Sequence, residues 1–104
     1  MTWFTTRVEL HNATYQDYTK LHLCMEVEGY ATTIRGSDGN TYQLPPAEYH
    51  LDDNCTRDQA LDKAKRAAQR TSKAFAVVVS ETTAMSWFGL PVVQPLVRSP
   101  VRAF

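Results

Sequence analysis

The residues with the most direct chemical use lie near the start of the chain, where Arg7, Glu9 and His11 recur at every second position. Cleaving RNA without a metal takes a base for the 2′-hydroxyl proton, a cation for the pentavalent phosphate and an acid for the leaving oxygen. A histidine near an arginine is the smallest set that supplies them. His11, with Arg7 and Glu9 beside it, is therefore the first candidate catalytic group, and His50 is the second. For a lone loop histidine, an inert surface role competes with that of general base. His22 falls in the middle of a helical stretch and is expected to be structural.

A second set could bind rather than cut. Trp3 to Leu10 alternates as a half-buried strand, with Phe4, Thr6, Val8 and Leu10 toward the core and Trp3, Thr5, Arg7 and Glu9 outward. That outward face should lie beside the hairpin residues Thr33 and Arg35. An aromatic ring there can stack on a base while a guanidinium holds phosphate, the chemistry of single-stranded RNA binding. Burial of the same face in a homodimer is the competing expectation. Lys63, Lys65, Arg66, Arg70 and Lys73 have the composition of a phosphate-contacting helix, against the plainer reading of a solvated face.

Metal or cofactor chemistry has little support. Cys24 and Cys55 are too far apart in sequence for a metal knuckle, and the three histidines lack paired spacing. Both cysteines are read as reduced thiols, Cys24 toward the core. Asp53 and Asp58 flank a helix start, where the helix dipole accounts for them, and Asp62 is expected to pair with a basic neighbour. No phosphate-binding glycine loop, dinucleotide fingerprint or nucleophile elbow occurs, so no cofactor and no metal are expected.

The formal charge is zero, but residues 1–53 carry three basic and eight acidic side chains and residues 54–104 carry eight and three. A polarised surface follows, suited to an anionic partner or to a charge match between two copies. The opening MTWFTTRVEL has no apolar run, so neither a signal peptide nor a membrane helix is expected there, and a cytoplasmic location is the default.

These side chains are positioned by elements with strong local signatures. Asn12 or Thr14 caps a helix to about Glu28 with Tyr18, Leu21, Cys24 and Met25 inward, and Gly29 ends it. Tyr30–Arg35 and Thr41–Leu44 flank Asp38-Gly39, which is expected to supply the positive φ angles of a hairpin. Pro45-Pro46 interrupts the returning strand before Ala47–Leu51. Thr56 and Gln59 form a capping box for a helix whose inner stripe is Ala60, Leu61, Ala64, Ala67 and Ala68. Phe75–Ser80 is the last strand; its Val77-Val78-Val79 run implies cover on both sides or an edge buried in an oligomer.

The order spells an α+β protein, a ferredoxin-like βαββαβ sandwich with an antiparallel sheet and two helices on one face. Residues 1–81 make the domain. Residues 82–104 form a Pro-rich apolar tail expected to dock partly on its own sheet or across a dimer.

With WFTTRVEL, the hairpin around Asp38-Gly39, the capped helix Thr56–Ser72 and the strand Phe75–Ser80, the chain resembles small bacterial and phage proteins grouped with the type V toxin-antitoxin antitoxin GhoS. In layout it also resembles the ferredoxin-like nuclease folds of CRISPR adaptation. The resemblance spans roughly residues 3 to 81 and implies a dimeric, metal-independent endoribonuclease acting on a toxin transcript. It transfers no catalytic residue, and the tail departs from it. The alternative is a non-enzymatic protein-binding module, such as a phage-encoded inhibitor of a host CRISPR-type defence complex, or a dimeric structural protein without a ligand.

Overall fold

The computed structural model describes residues 2–93. Strand β1 (Thr2–Leu10) buries Phe4, Thr6, Val8 and Leu10 on one face and turns Arg7 and Glu9 outward, the alternation a pleated strand imposes. Helix α1 (Tyr15–Val27) is capped by Thr14, not Asn12. Thr14 and Asp17 exchange side-chain and backbone bonds in a capping box, while Asn12 takes a left-handed φ of 53° in the turn before it. Leu21 and Met25 are fully buried, with Tyr18 and Cys24 packed at the margin of the core. Gly29, at φ 98°, then reverses the chain beneath Leu51.

The hairpin pairs β2 (Thr33–Arg35) with β3 (Thr41–Gln43). Its connection is longer than a two-residue turn, and only Gly39 has positive φ, at 87°. Asp38 keeps ordinary backbone geometry and instead serves as an acceptor: its carboxylate takes the Asn40 N–H at 2.9 Å and the Tyr42 hydroxyl at 2.6 Å. Pro45, Pro46 and a left-handed Ala47 (φ 70°) then break the chain, and β4 (Glu48–Asp53) resumes in the other sheet. Missing proline donors end β3, so the expected broken strand becomes two strands.

Helix α2 (Arg57–Gln69) follows the Thr56–Gln59 capping box and fully buries Ala60, Ala64, Ala67 and Ala68, whereas Leu61 is only half-buried. Small side chains let α2 lie close on β5 (Phe75–Thr82) and β1. The main sheet has the order β4-β1-β5, both pairs antiparallel, with Arg7 opposite Glu48 on one side and Val78 on the other. The hairpin joins the β4 edge through Ala31 and His50, whose backbones exchange two bonds of 2.8 Å.

The core fills the space between the two helices and the inner sheet face, centred on Phe4, Val8, Leu21, Met25, Tyr49 and Leu51. Each such side chain contributes on the order of 1.5–3 kcal/mol by leaving water. Inside it, Thr6 Oγ1 donates to Tyr30 Oη at 2.8 Å and that hydroxyl donates to the Ala60 carbonyl at 2.9 Å, so the polar atoms that pin α2 to the sheet are paired.

Of the two settings expected for the valine run, the structure has the sheet edge: among the described residues β5 is an edge strand, with Val77 and Val79 packed on the core and Val78 63% exposed on the outer face. The stretch after β5 returns along β3, where Gln43 N–H donates to the Pro91 carbonyl at 2.9 Å and Val93 N–H to the Thr41 carbonyl at 2.8 Å. The tail from residue 94 onward lies outside the described residues. No helix among the described residues is long and apolar enough to cross a membrane.

Candidate functional site

The outer face of the β4-β1-β5 sheet is built from the residues β1 does not bury. Its rows follow from the strand register: Asp52, Trp3 and Thr82; His50, Thr5 and Ser80; Glu48, Arg7 and Val78. No helix of the described residues lies over it, and at its Trp3 end the hairpin and the stretch after β5 line a common cleft. Between them is a cleft of about 500 Å³ whose lining includes Trp3, Arg35, Tyr42, Met85 and Trp87.

Each wall has a local cause. Thr5 Oγ1 lies 3.0 Å from Thr82 Oγ1 and 3.4 Å from Met85 Sδ, which fixes the exit from β5 over the sheet. Trp87 packs edge to face on Tyr42, centroids 5.4 Å apart. Tyr42 is held in turn by its bond to Asp38, which keeps the Asp38 carboxyl below its ordinary range and pushes the Tyr42 hydroxyl up. A side chain at Gly36 would place Cβ 3.0 Å from the Tyr42 ring and 3.4 Å from Trp87, so glycine is what allows this pair to close on the turn.

Trp3, 39% exposed, stands on the opposite wall with its ring edge-on to His50. Burial pushes the His50 imidazole toward its neutral form, against the opposing pull of Asp52, and its Nδ1 has no hydrogen-bond partner among the described residues. Arg35 forms no ion pair among the described residues. Three rings and an uncommitted guanidinium thus face one open space, an arrangement able to sandwich a planar base and hold an anion beside it.

Of the sequence-derived candidates, Trp3 and Arg35 share this cleft. Arg7, Glu9 and His11 are on the same face but farther along β1: Glu9 is about 20 Å of strand from Trp3. They form two pairs, Arg7 Nη1 with Glu48 Oε2 at 3.4 Å and His11 Nε2 with Glu9 Oε1 at 3.6 Å. Glu9 is the charged neighbour of the His11 ring, and the Arg7 cation is shared with Glu48.

The basic residues of α2 are largely matched within the chain. Glu28, at the end of α1 and only 10% exposed, accepts from Arg66 at 2.9 Å and meets Arg70 at 3.1 Å. The Arg66 bonds and the two guanidinium charges hold its carboxyl below the usual range. Lys73 meets Asp17 at 3.6 Å, and Lys63 meets Asp53 at 3.9 Å. Asp62, expected as a pairing residue, makes no such contact among the described residues. Four of the five basic residues singled out on and after α2, all but Lys65, therefore meet carboxylates from the first half of the sequence, with Arg66 and Arg70 still about half-exposed.

Among the described residues no three His, Cys, Asp or Glu side chains converge as a metal site would require. His22 Nδ1 is 2.7 Å from Tyr49 Oη, and burial favours its neutral form. A second, more apolar groove of about 500 Å³ runs between α1 and the proline break, lined by Tyr15, Tyr18, Leu44, Pro46 and Leu90 among others. Tyr42 and Trp87 were not legible as site residues, because nothing local in the sequence says where an apolar tail will land. Comparison with family models and with curated proteins finds no match for this chain.

Proposed function

We propose that this protein binds single-stranded RNA on its outer sheet face, with one base held in the cleft between Trp3 and the Tyr42–Trp87 pair and its phosphate on Arg35. The observation that carries this is the convergence of three rings from three separate parts of the chain on one open cleft beside a guanidinium that has no ion pair among the described residues. A folded domain has no need to leave such rings partly open for stability alone. We take the fold as ferredoxin-like, with the hairpin as the outer neighbour of β4, a layout whose open face suits this use.

A strand leaving the cleft along β1 would pass Arg7 and reach Glu9 and His11. Cleavage there, in the manner of an antitoxin endoribonuclease, would have His11, beside Glu9, take the 2′-hydroxyl proton as O2′ bonds to phosphorus, with Arg7 drawn from Glu48 onto the phosphate; the P–O5′ bond breaks, the 5′-oxygen takes a proton from water, and a 2′,3′-cyclic phosphate is left. The apolar groove beside the proline break supports the other reading, a protein-binding module, since its lining offers rings and prolines but little charge.

The test is fluorescence anisotropy with a short mixed-sequence single-stranded RNA and its duplex. Trp3→Ala and Trp87→Ala should each weaken single-strand binding about tenfold or more, since base stacking contributes on the order of 1–3 kcal/mol. Arg35→Ala should also lower the salt slope by about one. Affinity unchanged in all three variants would overturn the assignment. Turnover lost in His11→Ala with binding retained would establish the catalytic extension.

A further inference from the structure

We propose that β5 is a self-association edge, on which a second copy of the chain lays its own β5 antiparallel to make one continuous sheet. This is independent of the RNA assignment.

β5 pairs only with β1 among the described residues, so every second residue of its eight turns its backbone donor and acceptor to the open side. Natural edges are commonly blunted by proline, charge, a bulge or a short strand. Proline, bulge and shortness are absent from β5: its register with β1 runs without interruption from Leu10–Phe75 to Trp3–Thr82, Phe75 to Ser80 carry no charge, and its one charged residue, Glu81, stands next to its end. Exposed Val78 adds an apolar side chain beside the open edge.

The flanking charges select the occupant and its direction. Lys73, which meets Asp17 of its own chain at 3.6 Å and would be shared with a second copy, precedes the strand, and Glu81 lies near its end. Parallel self-pairing would set Lys73 beside Lys73 and Glu81 beside Glu81. Antiparallel pairing about Val77 sets Lys73 of each copy opposite Glu81 of the other, Phe75 opposite Val79 and Ala76 opposite Val78. Every matched pair then falls on the same sheet face, as strand alternation requires, and opposite charges close both ends of an isologous contact. Val77 and Val79 already pack on the core, and a second copy would flank the exposed Val78 with its own Ala76.

Light scattering across a micromolar to millimolar concentration series should give a mass twice the 11.8 kDa of one chain. Val78→Lys, on an exposed side chain and so compatible with folding, should raise the dissociation constant at least about tenfold while leaving the circular dichroism spectrum and melting temperature of the monomer unchanged. Lys73→Glu and Glu81→Lys should each dissociate alone and associate when mixed. A wild-type monomer throughout the series, or a dimer indifferent to Val78→Lys and to both charge reversals, would overturn the proposal.

Discussion

The Trp3 and His50 rings meet edge to face across the β1–β4 pair, 5.8 Å between centroids, so one wall of the aromatic cleft and a half-buried imidazole share one surface. Burial favours neutral His50, and the same holds for His22 against Tyr49. In both cases the folded protein binds a proton less readily than the unfolded chain. Stability is therefore full above the ordinary histidine pKa of about 6.5 and declines as pH falls through it toward the lower folded values. Urea midpoints across mildly acidic pH should show this slope, and His50→Gln together with His22→Asn should flatten it. An unchanged slope would mean that neither imidazole is desolvated as described.

Glu28 has the opposite sign. Its carboxyl is held below the usual range by Arg66 and Arg70, so its contribution is present above the ordinary glutamate pKa and is lost as pH falls through the lowered value. Glu28→Gln should cost about 1 kcal/mol at neutral pH, modest because both guanidinium groups are half-exposed. The same substitution frees two arginines for phosphate. Nonspecific RNA affinity at low salt should therefore rise in this variant, which filter binding can measure.

Tyr30→Phe removes one oxygen from the core and strands two partners, the Thr6 hydroxyl and the Ala60 carbonyl. A loss of about 1–3 kcal/mol is expected from chemical denaturation. The paired change Thr6→Val with Tyr30→Phe should recover part of it, because the Thr6 hydroxyl then no longer exists to be left unpaired.

Gly36→Ala should open the cleft without touching the main core. The added methyl would meet Asp38 Oδ1 at 2.8 Å and the Tyr42 ring at 3.0 Å, and Asp38 cannot retreat without giving up its bonds to Asn40 and Tyr42. Trp87 should move away from Tyr42, seen as a red-shifted tryptophan emission and a weaker near-ultraviolet aromatic band. Melting temperature should change little, since the hairpin lies outside the main core cluster.

Local rules account for most of the elements. The alternation in β1, the Thr56–Gln59 box and the alanine stripe of α2 depend on neighbours within a few residues, and the structure follows them closely. Where a long-range partner decides, the sequence is silent or misleading. Asp38-Gly39 signals a two-residue turn, but the bond from Tyr42 makes Asp38 an acceptor in a longer loop. The basic stretch from Lys63 to Lys73 suggests a free patch until Asp17, Glu28 and Asp53 arrive from the other half of the chain. For the cleft, Trp3 and Arg35 were legible because a strand's outward face is periodic. Trp87 was not, because its place is set by the route of an irregular segment.

The position of β1 has a consequence for how the molecule is made. It is the middle strand of its sheet, yet it precedes both partners in the chain, with β4 beginning at Glu48 and β5 ending at Thr82. During synthesis Phe4, Val8 and Leu10 emerge well before any strand can pair with them, and the sheet closes only when β5 has left the ribosome. Nascent chains arrested before Phe75 should therefore engage chaperones through this first strand, and release should follow a few residues after Thr82 clears the exit tunnel.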